Sequence, residues 1–412
     1  MNLKLIQKNI VFFSSGEIIS RILNFITFIL IARIIVVEDF GAMNISIVIV
    51  SYFTIALGFI HDDIATREIS SGILNEKSFC DSVFTLRLII GISLYLLIVF
   101  MYFIIDLSGQ IKSYVLIYGI TIISNALYTN WYIRAKEKYN LISICMILSS
   151  LTNLICVLLF IHEKNDSITA VWIITLKEIL NSLFLLIYYR KAIGVHFAFK
   201  IHTIKYLLNQ SIPLALTALL LIANSNISLI LICIISGNKE AGYFSAASKF
   251  VLISFIPFSI IYQSFLPQLS KNVNSLSYSD IVNKYSKYLI GIGFIITLTG
   301  FLFSDEIIYF TYGSHYFYSI PLLKILMISV LINYFSRIYS GVFITTGKQK
   351  LFLLSIFFGV IINVIVNLIL IPKYASLGAV FSSVLSEVFI LLFLAIFYKT
   401  HFNAGFLPLS KR

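Results

Sequence analysis

Charge is scarce in this 412-residue chain: Asp, Glu, Lys and Arg together make up 12% of it, about half the share usual in soluble domains. With 59% hydrophobic residues and a mean hydropathy of +0.97, that scarcity excludes an ordinary soluble fold. Cysteine is also sparse. Cys80, Cys145, Cys156 and Cys233 show no metal-ligand spacing, and three of them fall within apolar segments; they read as small apolar residues. The six histidines are scattered. No His, Cys or carboxylate cluster has ligand spacing, so no metal site is expected. A Gly-rich phosphate loop is lacking as well, which argues against direct ATP hydrolysis. No connector between apolar segments exceeds about 25 residues, too little for a soluble domain on either face.

What the chain has instead is apolar length. A membrane span needs about 20 mostly apolar residues. Twelve such segments occur, at roughly 10–35, 43–61, 83–105, 113–133, 140–161, 168–189, 210–235, 242–266, 285–304, 320–343, 351–371 and 377–398. Basic residues alternate between the connectors. The N-terminus and every second connector carry Lys4, Lys8, Arg67, Lys77, Arg134, Lys136, Lys138, Arg190, Lys191 and their later counterparts, ending at Lys411 and Arg412. The intervening connectors hold only Arg33, Lys112, Lys164, Lys239 and Lys373. Loops biased in this way face the cytoplasm, so both termini are expected there. The net charge of +12 then reflects basic loops meeting anionic lipid rather than a nucleic-acid partner. The first span is too long for a cleaved signal and lacks a small-residue cleavage site, so it is expected to remain as a span.

The chain reads as two similar halves: residues 1–195, a basic connector at 196–209, and 210–412. Glu38-Asp39-Phe40-Gly41 after the first span resembles Lys239-Glu240-Ala241-Gly242 after the seventh. Ser70 and Ser270 follow those glycines at nearly equal distance, and Arg134 to Lys138 parallels Thr346 to Lys350. Asn153 and Asn363 lie similarly beyond them. Six spans per half is even, so both copies enter the membrane in one direction. Such repeats are related by an axis along the membrane normal, an arrangement found in alternating-access transporters.

Charged residues inside spans are costly and should face protein or water. Counting along each segment at about 1.5 Å per residue, Arg21, Lys177, Glu178 and Glu387 are central. Glu17 and Lys249 are somewhat shallower. Arg87, Lys324 and Arg337 fall nearer the segment ends, where snorkelling to the headgroups is expected. Glu17 and Arg21 are four apart and can pair, with Asn24 extending their stripe. Lys177 and Glu178 are adjacent, about 100° apart on the helix, so at least one is expected to reach another helix or a water-filled cavity. Asn224 and Asn226 interrupt the seventh span as Glu17 to Asn24 interrupt the first, which points to an interface between the halves. With the rim residues the intramembrane charge is net positive, which suits a phosphate-bearing anion. The carboxylates would serve as counter-charges or in proton or sodium coupling. Asp62-Asp63 invites comparison with the acidic pair of membrane glycosyltransferases, but it lies on the expected cytoplasmic side.

Over nearly its whole length the chain resembles the O-antigen-type polysaccharide flippases of the multidrug/oligosaccharidyl-lipid/polysaccharide exporter superfamily. Arg33 with Asp39-Phe40-Gly41 carries the likeness, although Ile34-Ile35-Val36 replaces the family's usual Leu-Gly-Pro. So do Ala65 to Ser70, Ser211 to Leu214, Gly242 to Ala247, Tyr312-Gly313, Thr346 to Gln349, Ile371-Pro372 and Leu377 to Val380. The resemblance implies an all-α membrane protein of about twelve helices, two six-helix bundles forming a V around a cavity that opens alternately to each side. It implies an undecaprenyl-diphosphate-linked oligosaccharide as substrate, with a polysaccharide polymerase and a chain-length regulator as partners. Arg21, Lys177 and Lys249 would meet the diphosphate. Glu17, Glu178 and Glu387 would serve coupling or counter-charge, and Asn24, Asn224 and Asn226 would line the cavity. No cofactor is implied beyond an ion gradient. The alternatives are a multidrug extruder of the same superfamily, whose cavities favour acidic and aromatic linings, a membrane polymerase or glycosyltransferase, and a structural scaffold.

Overall fold

The computed structural model describes residues 3–57, 62–72, 75–105, 108–273, 275 and 277–402, with side chains for all of these except residues 3–12 and Pro213. The Lys4 and Lys8 side chains, Lys411 and Arg412, which entered the topology argument, lie outside the described residues. Every regular element among those described is helical. In hydrocarbon only a helix satisfies its backbone within one segment, so this is what twelve apolar segments dictate. Ten stretches are long and apolar enough to cross a bilayer. The last of them, Gln349–Phe402, holds two helices meeting at Ala375. Separating these and adding the 32-residue first helix brings the described helices to the expected twelve spans. Large apolar side chains stay exposed along them, among them Leu96, Phe100, Phe103 and Ile234. This is a multi-pass membrane protein.

The chain forms two compact units, Met1–Leu219 and Leu220–Arg412. The first contains α1 (Leu3–Ile34), α2 (Val37–Leu57), α3 (Asp62–Ser70), α4 (Glu76–Ile104), α5 (Gly109–Ala126), α6 (Asn130–Ala135), α7 (Tyr139–Phe160) and α8 (Ser167–Ala192). Helix α1 packs along α7, α2 and α4 on α5, α8 on both α5 and α7, and the short α3 on α6. At one end Tyr189 sits among Tyr132, Trp131 and Phe84, with ring centroids 5.2, 5.6 and 5.8 Å away. These rings are almost wholly buried. Helix α9 (Ile201–Ser236) is continuous across the unit boundary, and residues 201–209, expected in the connector, form its first turns.

The second unit contains α10 (Asn238–Ser254), α11 (Ile256–Lys271), α12 (Tyr278–Leu302), α13 (Ser304–Tyr312), α14 (Ser319–Thr345) and α15 (Gln349–Phe402). Helix α14 is central, packing on α10, α12 and both parts of α15. The break in α15 is sharp: Ala375 adopts φ 50 and ψ −129, a conformation that L-residues adopt only when their surroundings enforce it. A Cβ on Gly378 would stand 2.4 Å from the Leu370 carbonyl oxygen, so the two parts of α15 touch backbone to backbone beside that corner.

The internal repeat is written into the hydrogen bonds. In the first unit the N–H groups of Glu137, Lys138 and Leu141 donate to the carbonyls of Arg134, Ile133 and Lys138. In the second, Gly347, Lys348 and Leu351 donate to Ile344, Phe343 and Lys348 with the same offsets. Glu137 and Gly347 both take positive φ, 55 and 74. The backbone therefore pairs Glu137 with Gly347, two residues away from the register that the basic residues suggest. Helices α2 and α10 also open alike, Phe40 donating to Val36 and Ala241 to Gly237. Asn153 and Asn363 are both buried.

Candidate functional site

In the second unit, α10 and α11 are one apolar stretch interrupted at Phe255. Pro257 lacks an N–H and its ring opposes the preceding turn, which accounts for the interruption. The Tyr334 hydroxyl donates to the Ser254 carbonyl at 2.6 Å, covering one group that the break would otherwise strand in hydrocarbon. The break turns Phe255 and Phe258 toward Arg337 on α14, whose guanidinium lies 5.7 and 5.0 Å from their ring centres. Its Nε donates to Asn333 Oδ1, one turn earlier, at 3.0 Å. Tyr285 on α12 donates to the Arg337 carbonyl at 3.3 Å.

Opposite stands Glu387 on the second part of α15. Its carboxylate is in the field of Arg337 and lies near the side-chain amides of Asn224 of α9 and Asn333. Four helices thus contribute to one polar cluster of an acid, a guanidinium and two amides, with two aromatic faces on the cation. Such a cluster can exchange partners. An anion placed there would compete with Glu387 for the field of Arg337, and a proton or cation on Glu387 would weaken that attraction. The expectation that Arg337 snorkels is therefore corrected. Depth counted from the end of an apolar segment misplaced it, because α14 extends past that segment to Thr345.

Arg87 is corrected for the same reason. It is 6% exposed within α4, pairs with Asp62 of α3 and donates to the Asn125 carbonyl at 3.1 Å. Asp63 pairs instead with Arg134 at 2.9 Å, so each carboxylate of the Asp62-Asp63 pair is answered by its own arginine. Lys324 does lie at a rim, 3.0 Å from Asp305.

The other expected residues fall into smaller groups. Arg21 meets Glu17 at 2.5 Å with its side chain 52% exposed. Asn24 donates to Ser20, which bonds Ser150 of α7 at 2.6 Å. Lys177 and Glu178 pair with each other at 2.8 Å. The lysine stem curls across the 100° between neighbours, and the Glu178 carboxylate also acts on Tyr118 of α5, as expected of a residue that reaches another helix. Asn226 donates to the Ile222 carbonyl of its own helix at 3.1 Å. Lys249 is half-buried on α10. Of the nine residues expected to form the site, the structure joins Glu387 with Asn224, Glu17 with Arg21, and Lys177 with Glu178. Arg337 was expected at a rim, and Asn333, Phe255 and Phe258 were not singled out. Two signals were present in the sequence: Asn333 and Arg337 are four apart, and Pro257 stands between the two phenylalanines. Among the described residues, no group of three or more His, Cys, Asp or Glu is placed to hold a metal ion.

Residues 6–273 match the family of polysaccharide biosynthesis proteins. The chain belongs to this family. The capsular polysaccharide biosynthesis protein CapF of Staphylococcus aureus is 24% identical over 413 residues, covering 96% of this chain and 100% of that protein. Among solved structures, the lipid II flippase MurJ in an inward closed conformation superimposes with a TM-score of 0.78 at 18% identity, covering 94% of this chain and 87% of that one. An inward-facing multidrug resistance MATE family transporter of the MOP superfamily gives 0.74 at 16% identity, covering 93% and 96%. This member of the polysaccharide biosynthesis family thus shares the fold of those two structures.

Proposed function

We propose that this protein is a flippase that moves undecaprenyl-diphosphate-linked oligosaccharide repeat units from the cytoplasmic to the outer leaflet, for capsule or O-antigen synthesis. The observation that carries the proposal is the full-length similarity to a capsular biosynthesis protein on a fold shared with a lipid II flippase. The membrane is the bacterial cytoplasmic membrane, with both termini inside, as the alternation of basic connectors implies. A polymerase and a chain-length regulator act next on the translocated unit.

In this reading transport proceeds by alternating access, and Arg21, Lys177 and Lys249 engage the diphosphate. Arg21 suits that task because its side chain is half exposed and, among the described residues, bonds Glu17 through Nη2, a guanidinium fork being suited to phosphate. Arg337 joins them as the cation of the second unit. Glu387 is the coupling carboxylate, driven by a proton or sodium gradient, with Glu17 and Glu178 as counter-charges.

The test is surface polysaccharide in cells that depend on this protein. Arg21→Ala and Lys177→Ala are each expected to abolish it while membrane levels of the protein stay unchanged. Normal surface polysaccharide in both variants would remove the cationic mechanism. Lipid-linked units accumulating unpolymerised on the outer leaflet would point to a polymerase instead.

A further inference from the structure

A cavity of about 530 Å³ opens at the end of the first unit that bears the basic connectors, lined by Lys136, Glu137, Lys138, Asn140, Leu141, Ile144 and Tyr188. None of its lining residues is among those assigned to transport above. Its polar side offers the Lys138 ammonium, the Asn140 amide and the Tyr188 hydroxyl. Lys136 is held in place by Glu76 at 2.6 Å and by the Tyr132 ring at 5.5 Å. Glu137 is the one acid of the lining, exposed on the positive-φ turn. Glu76 answers Lys136, which leaves Lys138 as the lining cation with no ion pair among the described residues.

The other side is apolar and continues downward. From Ile144 a stripe runs along α7 through Leu148, Leu151, Ile155 and Leu158, which are 54%, 46%, 41%, 46% and 55% exposed. Steps of three and four residues keep the five on one helix face. A free phosphate needs the donors but has no use for a hydrocarbon track leading away from them. A phospholipid uses both, its headgroup in the cavity and an acyl chain along α7. Basic pockets at the cytoplasmic ends of membrane helices are suited to anionic headgroups.

We propose that this cavity and the α7 stripe bind an anionic glycerophospholipid of the inner leaflet. The site rests on the orientation of the basic face given under Proposed function, and it is separate from the translocated substrate.

The experiment uses the full-length protein purified in detergent, supplied with equal phosphatidylglycerol and phosphatidylcholine, with retained lipid read by native mass spectrometry. Phosphatidylglycerol is expected to be retained several-fold over phosphatidylcholine, and Lys138→Gln to lower that preference about fivefold. Ile144→Asn, at the mouth of the stripe, is expected to reduce retention while leaving the protein folded. Equal retention of both lipids, or an unchanged preference in Lys138→Gln, overturns the proposal. So does protection of the site by inorganic phosphate with no lipid retained. Surface polysaccharide measured in parallel keeps this outcome apart from the flippase reading: loss of lipid preference with transport intact, or the reverse, assigns each failure to its own site.

Discussion

Two intramembrane arginines, Arg87 and Arg337, have opposite surroundings. Arg87 is fixed between Asp62 and the Asn125 carbonyl, and its side chain is 7% exposed. It holds α3, α4 and α5 together. Arg337 faces one carboxylate that is itself shared with two amides, and two aromatic rings cover it beside a broken helix. Aromatic faces attract a cation without neutralising it, so Arg337 keeps an appetite for an anion that Arg87 has already satisfied. One arginine serves architecture and the other suits exchange. The difference is that between a dedicated partner and a contested one.

Removing a dedicated partner should do the most damage. Asp62→Ala leaves Arg87 buried and unpaired, and we expect a loss of about 3–5 kcal/mol, seen as a large drop in thermal midpoint and in membrane yield. Equal loss of stability on removing Glu387 would collapse the contrast between the two arginines. Next comes Glu387→Gln, which keeps the shape and the amide bonds but frees Arg337. It should lower transport at least tenfold while the protein still accumulates in the membrane, measured as surface polysaccharide per unit protein. Phe258→Leu should be milder, weakening the hold on Arg337 by about 0.5–1 kcal/mol, visible as a partial transport defect that Phe258→Tyr relieves. The smallest change in stability is expected for Glu17→Gln, because exposed pairs four apart on a helix contribute about 0.3–0.5 kcal/mol. A thermal midpoint indistinguishable from wild type would place that pair on the functional side of the comparison.

Much of the architecture was legible because hydrocarbon is a strict solvent. It forces apolar length, and the polar connectors between apolar runs then mark where each span ends. The repeat was legible as well, yet the basic residues around Lys136 and Lys348 suggested a register two residues from that of the backbone. Charge in a loop answers to the membrane surface, whereas the turn answers to the positive φ at Glu137 and Gly347. The site was less visible. Glu387 and Asn224 were identified separately, but nothing in one dimension joins α9 to α15. The depth of Arg87 and Arg337 was misread because apolar segments end before their helices do. Lys177 and Glu178 also pair with each other, because an angle between Cβ vectors says little about a side chain four carbons long.

Last is the corner at Ala375. Asn363 lies before it and Glu387 after it, and one residue makes the turn while Gly378 rests against the Leu370 carbonyl. An elbow with a long loop would let each arm move alone. This one is a single residue with its arms in backbone contact, so a tilt of the arm carrying Asn363 would carry with it the arm that bears Glu387.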